Sequence, residues 1–164
     1  MKILGIDPGL ERVGFGVIER VGSRLTMIEC GLIQTPRIRL PDRLRLIHDE
    51  TLALIDRLQP ACLITERLLF TANKTTALDV SKALGTILLA ASARNLPWEE
   101  YSPPSIKQSV VGHGGAEKKQ VQFMVAKLLS LPTPPKPDDV ADALAIAICH
   151  AMRGPTMVLS AGDP

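Results

Sequence analysis

Four carboxylates stand where a folded chain could put them to chemical use: Asp7, Glu66, Asp139 and Asp142. Asp7 closes the apolar run Lys2-Ile3-Leu4-Gly5-Ile6 and is followed at once by Pro8-Gly9, so it sits where a buried strand ends in a tight turn. Glu66 follows the apolar run Cys62-Leu63-Ile64-Thr65 in the same way. Asp139 and Asp142, three positions apart, open the last helical stretch and share one face of it. Grouped acids raise one another's pKa, a cost that divalent cations remove. An all-oxygen ligand set without a Cys or His cluster selects hard cations, magnesium first and manganese as a substitute. Two such ions, roughly 3.5–4 Å apart, would bracket a scissile phosphate, so the expected reaction class is phosphodiester hydrolysis. Each feature also has a plainer explanation: Asp-Pro-Gly is a good type I or II turn anywhere, and acids in the first turn of a helix offset its macrodipole.

The elements that must position these acids are legible in the pattern of apolar residues. Strands are expected at 2–7, 12–19 and 24–35, joined by short Gly-containing linkers as an antiparallel meander. Gly14 and Gly16 alternate with Val13, Phe15 and Val17, which leaves room for a close approach on one face. An amphipathic helix over 41–58 carries Leu44, Ile47, Leu54, Ile55 and Leu58 inward and ends at Pro60. A short buried strand over 61–65 then implies a crossover and a parallel partner; if it lies beside the first strand, Asp7 and Glu66 open into one crevice. The helix over 75–94 is apolar nearly all round after Lys82 and needs two partners, its own sheet and a second subunit. A strand at 97–101, a helix capped by Ser102 with Pro103 first, a break at Gly112–Gly115, a helix at 117–129, a Pro-rich linker and a helix at 138–152 complete the order βββαβαβααα. The fold class expected is α/β: a ribonuclease H-like five-stranded mixed sheet, its first three strands antiparallel, with helices on both faces.

Composition is consistent with one globular domain of 164 residues, 46% apolar. Residues 1–153 are expected to form the single nuclease domain and 154–164 a flexible tail. There is no signal-peptide pattern, and no uncharged apolar span approaches the ~20 residues of a membrane helix, so no membrane association is expected. Cys30, Cys62 and Cys149 are odd in number, widely spaced and without metal spacing, as in a cytoplasmic protein with reduced thiols. Setting the four acids aside as metal ligands leaves 13 acids against 19 Lys and Arg, a balance of +6 suited to a polyanion; the alternative is an ordinary mixed surface.

Several motifs then carry a resemblance. Gly5-Ile6-Asp7-Pro8-Gly9-Leu10 with Gly14-Phe15-Gly16-Val17-Ile18, Glu66 ahead of Phe70 and Asn73, Val110-Val111-Gly112, Ala116-Glu117-Lys118-Lys119-Gln120-Val121-Gln122, and Asp139-Val-Ala-Asp142-Ala-Leu-Ala-Ile-Ala occur in order over residues 1 to about 150. Together they resemble the RuvC family of bacterial Holliday junction resolvases. The resemblance implies a magnesium-dependent, homodimeric endonuclease that resolves four-way DNA junctions by symmetric paired nicks in recombination and repair. By motif, Asp7, Glu66, Asp139 and Asp142 would be the catalytic, metal-binding acids of a two-ion site. Lys107 and Lys118 match basic residues that contact backbone phosphates near the cut; solvated surface charge is their generic alternative. The RuvA–RuvB branch-migration complex is the implied protein partner.

The chain also departs from the family pattern. Leu69 stands where the family usually has an aromatic, and Phe70 comes next; Phe70 either stacks on an unpaired junction base or packs in the core. The family's Gly-Gln-Ala-Arg-Gly on the second helix is here Ser81-Lys82-Ala83-Leu84-Gly85, leaving Lys82 as the basic residue for DNA. Asp138 forms its own helical i, i+4 pair with Asp142, although register favours Asp139. His113 either shuttles protons from its loop or is simply exposed, and His48 and His150 receive no role. The rivals are a related ribonuclease H-like nuclease acting on RNA or other DNA structures, an actin-like or sugar-kinase ATPase fragment, and a junction binder without catalysis. The ATPase would need a second lobe that 164 residues cannot hold.

Overall fold

The computed structural model describes residues 1–68 and 74–153, with side chains for all of these except 74–76. Its order is β1 Lys2–Asp7, β2 Arg12–Val21, β3 Arg24–Gln34, α1 Leu40–Leu58, β4 Cys62–Glu66, α2 Lys74–Ser92, β5 Trp98–Tyr101, α3 Pro103–Val111, α4 Lys118–Leu128 and α5 Asp138–Arg153. The strands form one sheet in the order β3-β2-β1-β4-β5. β1 pairs antiparallel with β2 and β2 with β3, whereas β4 runs parallel to both β1 and β5. The expected mixed ribonuclease H-like sheet is therefore present, with the α1 crossover delivering β4 to the side of β1. Phe70 and the expected 154–164 tail lie outside the described residues.

Strand alternation sorts the core into two layers. Leu4, Ile6, Val13, Phe15, Val17 and Leu63 face α1 and α2, where Ile47, Leu54, Ile55, Ala83 and Ile87 cover them. Ile3, Ile18, Cys62 and Ile64 face α5, which α3 and α4 flank on the same side. Asp7 and Glu66 fall in the second register, so the alternation that buries Ile3 and Ile64 also turns both carboxylates toward α5.

α5 is the central helix of that layer. Every residue from Val140 to Ala151 except Asp142 is buried in it, at 5% exposure or less. An alanine-rich sequence permits this, because small side chains let the helix axis come close to the sheet. Gly5, Gly14 and Gly16 complete the fit: a methyl group on any of them would overlap Ala143 and Ala147, Asp139, or Leu144 respectively. The space that the glycines leave is thus filled by α5.

Local signals bound the helices. Gln59 adopts the left-handed region (φ 49°) after α1, just before Pro60. Ser102 caps α3 by accepting from the Ser105 amide, and Glu117 with Gln120 forms a capping box on α4. α2 buries Ala83, Ile87, Ala90 and Ala91 against the sheet side while Leu78 and Leu89 remain 58% and 62% exposed. No helix among the described residues is long and apolar enough to cross a membrane.

Candidate active site

Three elements bring the four acids to one edge of the sheet. Ile6 of β1 is in register with Thr65 of β4, so Asp7 and Glu66 are the next residues on adjacent parallel strands. α5 approaches from the N-terminal end, its Asp139 backbone lying against Gly14, the β2 partner of Asp7. That approach sets Asp139 and Asp142 over the carboxyl ends of β1 and β4.

The ionisation of Asp7 records the convergence. Desolvation pushes its pKa up to about 7, and the charges of Asp142, Glu66 and Asp139 push the same way, with Lys118 opposing. Glu66 is raised by burial and by Asp142, while Lys107 and Lys118 pull it down. Asp142 is raised chiefly by burial, against the hydrogen bond and charge of Lys118. Burial works against the charge of Lys118, yet its bonds to Asp142 and Asp138 leave its pKa raised.

Two lysines and an arginine surround the acids. Lys118 Nζ lies 3.0 Å from Asp142 Oδ2 and 3.4 Å from Asp138 Oδ2. Lys107, Lys118, Glu66 and Asp142 line a cavity of about 300 Å³. On the other side of the cluster, Asp139 borders a cavity of about 380 Å³ with Gly9, Arg12, Arg43 and Asp79. Arg12 Nε stands 3.3 Å from Asp139 Oδ2, yet that buried oxygen accepts no hydrogen bond among the described residues.

No three His, Cys, Asp or Glu side chains among the described residues are closed on one point as a ready ligand shell. The acids share a field but their heads are divided, Asp142 drawn to Lys118 and Asp139 to Arg12, as mutual repulsion of carboxylates requires. The donors still suit a hard divalent cation. They are all oxygens, one carboxyl has its pKa pushed up to about 7 by burial and by the neighbouring acids, and one buried acceptor is unsatisfied.

The remaining candidates fall in different places. Asp138 is exposed and engaged by α4, through Lys118 and a 2.9 Å bond from Gln122 Nε2. Lys82 lies outside the acid cluster, on the exposed face of α2, paired with Asp79 at 3.0 Å. His113 is exposed in the loop after α3. Arg12 was not singled out by sequence reasoning; its signal was its place at the start of the strand that pairs with Asp7.

His48 and His150, given no role from the sequence, both have side-chain partners in the fold. His48 Nδ1 lies 3.0 Å from the neighbouring Asp49 carboxylate. His150, buried on α5, has Nδ1 2.9 Å from Tyr101 Oη and Nε2 3.5 Å from Cys62 Sγ, and Tyr101 donates to Glu99 at 2.9 Å. One proton arrangement satisfies this chain: Cys62 donates to Nε2, Nδ1–H donates to Tyr101, and Tyr101 donates to Glu99. Burial keeps Cys62 as the thiol, pushed up to about 11, and lowers the pKa of His150. These partners come from α5, β4 and β5, a long-range meeting that helical spacing alone could not reveal.

A ribonuclease H-like sheet that carries carboxylates on β1, β4 and an N-terminally directed α5 defines the class: a ribonuclease H-like fold with an acidic site at the strand ends. Within it, residues 3–150 match the family model described as crossover junction endodeoxyribonuclease RuvC. The chain belongs to the RuvC family. It is 48% identical over 158 residues to the crossover junction endodeoxyribonuclease RuvC of Chloroflexus aggregans, covering 96% of each chain. The RuvC of Desulforamulus reducens is 50% identical over 157 residues, covering 95% of this chain and 96% of the relative. Among solved structures, T. thermophilus RuvC in complex with a Holliday junction substrate superposes with a TM-score of 0.88 at 34% identity, over 93% of this chain and 94% of that one.

Proposed function

We propose that this chain is a divalent-metal-dependent endodeoxyribonuclease that resolves four-way DNA junctions by paired nicks, and that Asp7, Glu66, Asp139 and Asp142 form its catalytic, metal-binding site. The observation that carries the site assignment is the burial of Asp7 among three other acids without enough base to neutralise them. A pure DNA binder gains nothing from negative charge where phosphates must lie. Family membership along nearly the whole chain supports the substrate and reaction.

Bound magnesium, two ions per site, would supply Lewis-acid polarisation of the phosphate and acidification of the attacking water at neutral pH. The chain's own residues do the positioning. Asp7 anchors the centre from a rigid strand end, while Glu66 and Asp142 border the cavity that admits the phosphate. Lys107 and Lys118 bind the non-bridging phosphate oxygens from the cavity wall and discharge the developing negative charge. Lys118, paired with Asp142 in this structure, would exchange that partner for a phosphate oxygen, which leaves the Asp142 carboxylate free to serve as a metal ligand. Phe70 and Lys82 are assigned secondary DNA contacts from α2 and the segment before it.

Symmetric cutting of a two-fold junction calls for an isologous homodimer, and the exposed Leu78 and Leu89 on α2 provide an apolar contact for it. The RuvA–RuvB complex is assigned as the branch-migration partner, and the cytoplasm, where bacterial chromosomes lie, as the place of action. The test is cleavage of a synthetic four-way junction, its component duplexes and an RNA–DNA hybrid, each with magnesium, manganese or chelator. Cation-dependent, symmetric nicking of the junction in preference to the others is expected; preference for the hybrid or the duplex overturns the assignment.

A further inference from the structure

Beyond the cavity, α3 and α4 continue the positive wall in a way the catalytic chemistry does not use. From Pro103 to Leu128 the sequence holds four lysines and a single acid, the α4 cap Glu117. Lys107 and Lys118 line the cavity with Glu66 and Asp142. One turn beyond Lys107 on α3 is Val111, which shares a surface depression with Lys119, Gln120, Phe123 and Met124 of α4. Lys119, Phe123 and Lys127 follow at i, i+4 and i+8, so they form one stripe along α4. Phe123 is 54% exposed, and Lys127 Nζ stands 5.3 Å from its ring centroid.

An exposed phenylalanine between two lysines, on a helix without acids, is unsuited to packing within the domain and well suited to a polyanion with apolar surfaces. The two lysines are eight residues, about 12 Å, apart along the helix. At ~3.4 Å of axial rise per nucleotide, that span matches a few phosphates of a single strand. The stripe is continuous with the cavity through Val111 and the adjacent Lys118–Lys119 pair, so a strand leaving the scissile phosphate meets it next.

We propose that the Lys119–Phe123–Lys127 stripe is a DNA subsite that holds the strand leaving the catalytic cavity, its phosphates on the two lysines and its sugar or an unstacked base against Phe123. The inference rests on the junction-nuclease reading, because the occupant is the same DNA. It goes further in assigning α4 a part in binding that is separate from the chemistry. Lysine contacts contribute salt-dependent affinity, whereas the phenylalanine contributes a salt-independent part.

The experiment measures junction affinity in calcium or chelator across a salt series for the wild type, K119A/K127A, F123A and, as a control, Arg24→Ala at the exposed β2–β3 turn on the opposite end of the sheet. K119A/K127A is expected to weaken binding about ten-fold at low salt and to reduce the slope of log K against log salt by about 2. F123A is expected to weaken binding a few-fold with the slope unchanged, and Arg24→Ala to match the wild type. Single-turnover nicking at saturating protein and magnesium should match the wild type in Arg24→Ala, which lies away from both the cavity and the stripe. Wild-type affinity and slope in K119A/K127A would overturn the subsite and leave the stripe to a protein partner, such as an acidic peptide. Failure of the wild type itself to bind junctions would instead overturn the functional reading.

Discussion

Gly14 of β2 lies against the backbone carbonyl of Asp139, so closely that any side chain at position 14 would overlap it. The same glycine is the β-ladder partner of Asp7. One small residue therefore fixes the distance between the strand that carries the first acid and the helix that carries the last two. Gly14→Ala is expected to destabilise the fold by about 1–3 kcal/mol, as overpacking does, and to move Asp139 outward. Urea unfolding together with manganese titration checks this; unchanged stability and unchanged cation affinity would show that α5 is set by other contacts.

Asp7→Asn should separate binding from chemistry. Its carboxyl ionises at 3.8 in an ordinary setting and at about 7 in the fold. The folded state therefore holds the proton more tightly, and Asp7 favours folding below pH 3.8 and loses that advantage as the pH rises through 7. At pH 8 with chelator, Asp7→Asn is expected to be more stable than wild type by an amount of order 4 kcal/mol, to retain junction binding and to nick nothing. Equal stability of the two proteins across pH 4–8 would mean that the acids do not interact as described.

Cation binding should relieve that same repulsion. Magnesium or manganese at about 100 times its dissociation constant is expected to stabilise the wild type by about 2.7 kcal/mol, and Asp7→Asn by much less. Thermal melts with and without chelator read the difference directly, independent of cleavage.

His150 gives the opposite pH signature. Burial lowers its folded pKa below the usual 6.5, so its contribution is complete above pH 6.5 and is lost as the pH falls through the lower folded value. Measured in the Asp7→Asn background to remove the competing trend, His150→Gln should flatten this acid limb and cost about 1–3 kcal/mol at pH 7.5 through the broken chain to Tyr101 and Cys62. A limb that persists in the variant would place the titrating group elsewhere.

Replacing Leu78 and Leu89 on α2 with lysine is expected to yield a folded monomer in sedimentation, because both side chains are exposed in the single chain. Paired nicking should fall far more than single nicking. A dimer that survives both changes would move the interface off α2.

Much of this architecture could be read in advance because its causes are local. Strand alternation, the Pro-Gly turn after Asp7, the Ser102 cap and the helical spacing of Ile47, Leu54 and Leu58 are properties of a few neighbouring residues. The joining of Asp7 to Glu66 followed from one topological step, a helix crossing between parallel strands. Other features depend on residues that only the fold brings together. Arg12 meets Asp139 across 127 positions of sequence, and His150 meets Tyr101 and Cys62 from three separate elements. The glycines on β2 announced a close approach without naming the approaching element. The division of the acids between Lys118 and Arg12 depends on side-chain positions in space, which spacing along the chain does not encode.

The position of α5 has a consequence for how the enzyme comes into being. The helix packs chiefly on β1 and β2, the earliest described strands, yet it is the last described element to be made. Until α5 is made those strands lack its cover on one face, and Asp7 lacks two of its companions. The acidic cluster is therefore assembled only once synthesis has passed Asp142, so the site proposed for the chemistry is completed by the last of the elements that build it.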